Sequence, residues 1–318
     1  MNYETNLGYC FILFKGWVKA LNPMDAGLPD MNGKVSLITG ANAGIGKRAA
    51  KRLASLGSRV IVVCRDPIKG ADAVEEIKRE SGSSFVELIQ ADLSSQKSIR
   101  HLAETVTRRY ERLDVLIHNA ANFDQSLKKP QLTEDGVEKI FSTNHLGPFL
   151  LTHLLLDLLK KSAPSRIITI ASKGLLAFPG MTIDFENLNG EKSFSVTRAY
   201  YQSKLAQLMF TYELAERLKD SGVSVNCIRV PSVKIDKGRH QHVPAWMRWA
   251  YQIKRRFSLD PEDMANTYAF VAVSPSLDRT TGRYFDEHNR IVKSSRKSYD
   301  KTVWKKLWRV SEKLTGME

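Results

Sequence analysis

The chain has 318 residues, of which 42% are hydrophobic and 26% charged, and it carries a formal net charge of +14. These fractions belong to a soluble globular protein and exclude bulk disorder, and the length admits one large α/β domain or two ordinary ones. Cys10, Cys64 and Cys227 stand far apart without metal-ligand spacing, which argues against a disulfide framework and against any metal site.

The positive excess favours anionic partners such as phosphorylated cofactors or acidic membrane surfaces. It concentrates in residues 234–256 and 291–318, where Trp246, Trp249, Trp304 and Trp308 are interleaved with Lys and Arg. No zinc-finger, RRM or helix-turn-helix pattern accompanies them, so nucleic acid is not an expected partner. A membrane interface and an aromatic-lined pocket with a wet outer face both stay open.

Residues 1–31 form an N-terminal extension. Its apolar run, Leu7 to Leu21, is interrupted by Lys15 and Lys19, too short to cross a bilayer, and lacks the pattern of a secretory signal. It reads as a short helix packed on the domain or as an amphipathic helix lying in a membrane interface, so the expected location is cytoplasmic, with peripheral membrane contact as the sharper option.

From Asn32 to Arg290 the chain becomes regular. "KVSLITG", "RVIVVCRD", "FVELIQAD", "LDVLIHNA", "SRIITIAS" and "VSVNCIRV" are short β-rich runs, each separated from the next by a helix-length segment. This alternation predicts an α/β fold: one doubly wound parallel sheet with helices on both faces. With no linker inside 32–290, a single domain is expected, followed by a basic C-terminal helical tail over 291–318. "DPEDMANTYAFVAV" predicts a late helix with Asp260 as N-cap and Pro261 in its first turn.

"TGANAGIG", Thr39 to Gly46, follows the first strand and opens a helix near Ile45. Gly40, Gly44 and Gly46 permit a tight turn and close backbone approach to a pyrophosphate, which predicts dinucleotide binding. At the end of the second strand Arg65 stands where an acidic residue would bind a ribose, with Lys47 and Arg48 nearby, which favours NADP(H) over NAD(H). Asp66 tempers that preference, since it is placed either to face a ribose or to pair with Arg65. In "AYYQSKLAQLMF", Tyr200 and Lys204 are four residues apart on one helix face, where an ammonium lowers a phenol's pKa toward general acid/base work, while Tyr201 points elsewhere. Ser172 ends the fifth strand at the sheet's carboxyl edge, placed to hydrogen-bond a substrate oxygen as it gains charge.

The order of "TGANAGIG", "HNAA", Asn144, Ser172 and "YYQSK" resembles the short-chain dehydrogenases/reductases over roughly residues 32–290. "TGANAGIGKRAA", "VCRD", "LNGEKSFS", "AYYQSKLAQLMF" and "TGRYF" are similar to the retinol dehydrogenase-like branch. The resemblance implies a Rossmann fold and an oxidoreductase acting on lipophilic aldehydes, ketones and alcohols of retinoid, steroid or fatty type. It also implies proton transfer by Tyr200, a hydrogen bond from Lys204 to the nicotinamide ribose, and Asn144 holding a helix bend and a water that links Lys204 to solvent. Asn42 and Ile45 in the glycine turn, Asp92 beside the adenine and Asn119 in "HNAA" complete the implied cofactor site, with Ala121 crowding the backbone where glycine is usual. Dimers in the family form through helices that include the one bearing the tyrosine.

One departure matters. Where the family carries Pro-Gly and then threonine, this chain reads "RVPSVKID", with Pro231 lacking its glycine and Ile235 in the threonine's place, leaving backbone amides near Val233 to orient the carboxamide. A competing expectation follows: a cofactor-binding, membrane-peripheral or regulatory protein that has lost hydride transfer. Beyond that loop, 234–258 takes the position of a substrate lid, with Trp246, Met247, Trp249 and Tyr251 as pocket-lining candidates and Arg248, Lys254, Arg255 and Arg256 kept wet.

Overall fold

The computed structural model describes residues 27–234 and 258–318. The expected lid residues 235–257, including Ile235, and all but the last few residues of the N-terminal extension lie outside the described residues. Within them the chain alternates β1 (Val35–Thr39), α1 (Gly44–Ser55), β2 (Arg59–Cys64), α2 (Pro67–Ser81), β3 (Val86–Gln90), α3 (Gln96–Arg109) and β4 (Val115–His118). It continues through α4 (Lys139–Phe141), a π-turn (Ser142–Leu146), α5 (Gly147–Lys161), β5 (Ser165–Ser172), α6 (Val196–Arg217), β6 (Val223–Val230), α7 (Pro261–Val273), β7 (Arg283–Phe285) and α8 (Lys301–Thr315).

All strand pairs are parallel, in the order β3-β2-β1-β4-β5-β6-β7. The strand order reverses between β1 and β4, so a crevice opens there at the carboxyl ends of the strands, where ligands of such sheets collect. Both faces of the sheet are covered, which is why β1 and β4 are buried at every position. On one face Leu37, Phe149, Leu155, Phe210 and Trp308 share a core with α3, α5, α6 and α8. On the other, Ile38, Leu53, Ile117, Met264 and Tyr268 bring in α1, α2 and α7.

Local chemistry sets the helix starts. Asp66 accepts from the amides of Ile68 and Lys69, Ser95 from that of Ser98, Asp260 from that of Glu262, and Asp300 from those of Thr302 and Val303. The doubly wound sheet and the Asp260–Pro261 helix start agree with the sequence reading. Strand β7, inside "TGRYF", is one that alternation could not find: its three residues are held by pairing Asn226 to Arg283 through Ile228 to Phe285.

The basic tail is a docked element. Trp304, Leu307 and Trp308 of α8 are buried, leaving Lys301, Lys305, Lys306, Arg309 and Lys313 on the exposed face. Trp308 packs edge-on to Phe149 and stacks with Phe210, donates from Nε1 to Glu312, and carries the Arg217 guanidinium 3.9 Å above its ring. Trp308→Ala should therefore lower unfolding free energy by about 3–5 kcal/mol, as expected for a buried tryptophan, and Lys305→Ala by less than about 0.5 kcal/mol. Urea denaturation measures both, and equal small losses would show that α8 is not part of the core.

Candidate active site

The three glycines of the first turn have different physical causes. A Cβ on Gly40 would come within 2.8 Å of Ala120 Cα, and one on Gly46 within 2.3 Å of Asn119 Nδ2, so these two yield to neighbouring protein. Gly44 has φ +59° and a Cβ there would meet nothing within 4 Å. It faces open space at the first turn of α1, whose N-cap Ala43 has no side chain to satisfy the free amides and whose first turn holds no acidic residue. An open glycine cradle at an uncapped helix N-terminus fits the phosphates of a dinucleotide. Asn42 and Ile45 flank it. Asn119 staples the turn to β4, donating from Nδ2 to Thr39 O at 2.9 Å and to Gly40 O at 3.1 Å, while Tyr268 donates to its Oδ1 at 3.3 Å. Ala121 is exposed; the close approach to the turn belongs to Ala120.

At the end of β2, Arg65 is exposed, with no carboxylate partner among the described residues, and its carbonyl receives Gln90 Nε2. Asp66 is committed to capping α2, which holds its carboxyl below the usual range through the Lys69 amide first. Lys47 pairs with Glu76 at 2.6 Å, and Arg48 reaches Glu262 at 3.7 Å and Gly44 O at 3.2 Å, so the guanidinium of Arg65 is the cation left facing solvent here. Asp92, after β3, accepts from the amide and hydroxyl of Ser94 through Oδ1.

Tyr200 and Lys204 come together on α6, against the end of β5. Lys204 is 2% exposed; its Nζ donates to Ile170 O at 2.7 Å and Gln207 Oε1 at 3.2 Å and lies 5.9 Å from the centroid of the Tyr200 ring. Burial pushes the Lys204 pKa down to about 8 and that of Tyr200 up to about 12, with a hydrogen bond to Ser172 pulling Tyr200 the other way. In the protein alone, desolvation and the neighbouring Tyr201 set the direction for Tyr200, opposite to the lowering expected from an ammonium four residues away. Ser172 Oγ accepts from the Gly174 amide at 3.1 Å, leaving its own proton to donate. Phe123 stacks on Tyr200 at 4.2 Å, whereas Tyr201 turns away onto Gly174 and Phe178.

Asn144 sits in the π-turn and clamps the loop after β4. Its Oδ1 accepts from Asn122 N at 2.6 Å, and its Nδ2 donates to Asn122 O at 3.0 Å and to Ser203 Oγ at 2.9 Å. Ser203 Oγ in turn donates to Tyr200 O at 2.7 Å. This backbone clamp, and the anchoring of Phe123 one residue beyond it, had no signature in the sequence. In the departing loop, Val233 bridges to Leu259, with Lys234 N donating to Leu259 O at 3.0 Å and Leu259 N to Ser232 O at 3.0 Å.

The short chain dehydrogenase family model matches residues 34–242. Human retinol dehydrogenase 14 is 39% identical over 307 residues, covering 92% of this chain and 89% of that protein. A crystal structure of an uncharacterized protein from Mycobacterium paratuberculosis, 30% identical, superposes with a TM-score of 0.70 over 92% of this chain and 96% of its own. The RhlG/NADP active-site complex from Pseudomonas aeruginosa, 26% identical, does so with a TM-score of 0.64 over 81% and 95%. The chain belongs to the short-chain dehydrogenases/reductases, in their retinol dehydrogenase-like branch, as an oxidoreductase acting on CH–OH groups with NAD(P).

Proposed function

We propose that the protein interconverts a lipophilic aldehyde or ketone and its alcohol with NADP(H), Tyr200 serving as general acid and base. The observation that carries this reading is the convergence of Tyr200, Ser172 and buried Lys204 at the carboxyl end of β5, on the same sheet edge as the glycine turn that follows β1. The nicotinamide, when bound, supplies or accepts the hydride. In the reducing direction Tyr200 passes its phenolic proton to the substrate oxygen, and the Ser172 hydroxyl stabilises the charge that develops there. The Lys204 ammonium offsets the tyrosinate left behind. Gly44, Ile45 and Gly46 with Asn42 would hold the pyrophosphate, Asp92 the adenine end, and backbone near Val233 the carboxamide. Retention of every polar group in the proton-transfer set favours this over a protein that has lost hydride transfer.

A retinoid substrate is drawn from the likeness to retinol dehydrogenase 14, and the steroid and fatty-aldehyde alternatives from the family resemblance of the sequence. No described helix is long and apolar enough to cross a membrane. The apolar stripe Phe11, Ile12, Leu13, Phe14 and Trp17 and the basic 234–256 segment support peripheral collection of such a substrate from lipid. A homodimer through the Tyr200 helix would have to displace α8, since Gln202 through Ala215 of α6 are already buried.

Tyr200→Phe should cost at least about two decades in kcat while NADPH binding persists, because only the proton donor is removed. Reduction should slow as pH rises, since the protonated phenol is the acting form, and aldehyde-dependent NADPH consumption measures both effects. Harmlessness of Tyr200→Phe alongside loss in Tyr201→Phe would overturn the assignment. Arg65→Ala should weaken NADPH binding by about 1–3 kcal/mol, the range of a charge-assisted hydrogen bond, and leave NADH unchanged. Fluorescence titration decides this, and parallel weakening would make Arg65 structural. The intact protein should co-sediment with anionic vesicles at low ionic strength and be released by salt or by deletion of residues 1–30. A protein that stays in the supernatant takes its substrate from solution.

A further inference from the structure

His145 is adjacent to Asn144 and has no part in the chemistry above. It is 1% exposed, inside a shell of Phe141, Phe149 and Phe210 with ring centroids at 5.0, 6.3 and 6.2 Å. Burial pushes its pKa down to about 3, so the ring is neutral, and Nδ1 has no protein partner. Its one hydrogen bond crosses to the C-terminal helix, Nε2 lying 2.8 Å from Ser311 Oγ. The Ser311 hydroxyl also reaches Leu307 O at 2.8 Å; with its proton directed there, Nε2 is the donor and Ser311 the acceptor.

Packing alone does not ask for imidazole in an aromatic shell; a leucine or phenylalanine would fill it without burying a polar ring. The hydrogen bond gives the ring its purpose. It ties α8 to the π-turn, a stretch in which the Gly147 amide bonds Ser142 O, one residue beyond the α-helical partner. The bond holds residue 145 against α8, and Asn144, its neighbour in the same turn, reaches Asn122 and Ser203. The links run without a gap from Ser311 through His145 and Asn144 to Asn122 on one side and, through Ser203, to the Tyr200 carbonyl on the other.

We infer that His145 and Ser311 are positioning residues, through which the C-terminal helix sets the Asn144 clamp and thereby the placement of Tyr200. The inference rests on the proposed role of Tyr200 for its kinetic consequence only; the clamp itself can be read without turnover.

The test uses the full chain with Ser311→Ala, His145→Leu, His145→Gln and, on the exposed face of α8, Arg309→Ala. Steady-state kinetics with NADPH and an aldehyde are measured well below the unfolding temperature, and amide hydrogen exchange is followed over residues 119–126 and over β1 and β2. Ser311→Ala and His145→Leu should lower kcat about tenfold, the equivalent of one net hydrogen bond, without changing the KM for NADPH. They should also speed exchange of the Asn122 amide while β1 and β2 stay protected. His145→Gln, whose amide can donate from the same place, should restore both, and Arg309→Ala should alter neither. A fall in melting temperature with kcat and Asn122 exchange unchanged would overturn the inference and leave the pair purely structural. If the wild-type protein turns over no aldehyde, the functional reading fails while the Asn122 exchange still decides this one.

Discussion

An ammonium group shut away from water must be given strong acceptors or surrender its proton. Lys204 meets that demand with the carbonyl of Ile170, two residues before the end of β5, and with Gln207 one turn along its own helix. The bond to Ile170 ties α6 to β5, and the polar contacts at this end of the site are built on that docking. It sets Tyr200 beside Ser172, and it places Ser203 where Asn144 can reach it. α6 is enclosed along Gln202 to Ala215, with β5, β6, the π-turn and α8 packed against it.

The cofactor end of the site is built on a different principle. There the protein supplies backbone and space, through Gly44 and an uncapped helix start, while side chains such as Asn119 hold the turn in shape from behind. The adjacent Arg65 and Asp66 divide their labour: the carboxylate is spent on the helix it begins, while the guanidinium stays exposed at the end of β2. Lys47 and Arg48, which in sequence add to that charge, are instead neutralised by Glu76 and Glu262 from neighbouring helices.

The sheet, its order of strands and helices and the i, i+4 tyrosine–lysine pair were legible because they follow from periodicity and from motifs contiguous in the chain. Contacts between distant segments were not. Nothing in "STNHLGPF" reveals that Asn144 grips the backbone of Asn122, because that contact depends on a π-turn, and nothing in "VWKKLWRVSEKL" marks Ser311 as a partner for His145. The same limit applies to Trp304 and Trp308. Interleaved with basic residues they fit a membrane face or a solvated pocket wall equally well, and only packing against Tyr212, Phe149 and Phe210 identifies them as core. The pKa of Tyr200 turned on burial: spacing shows an ammonium nearby, but not that enclosure of the phenol raises its pKa.

The unequal causes behind the glycines of "TGANAGIG" bear on how the motif is inherited. Gly40 and Gly46 answer to Ala120 and Asn119, so their freedom to change is coupled to positions some eighty residues away in the chain. A side chain at 46 would meet both Asn119 Nδ2 at 2.3 Å and the Gly40 carbonyl oxygen at 2.7 Å, so it becomes tolerable only when 119 shortens and the turn itself moves, and positions 46 and 119 should covary among relatives even where the ligand is the same. Gly44 has no such partner in the protein. Its φ of +59° already favours glycine in the protein alone, so its constancy among relatives would register the left-handed turn as well as a ligand that fills the open space.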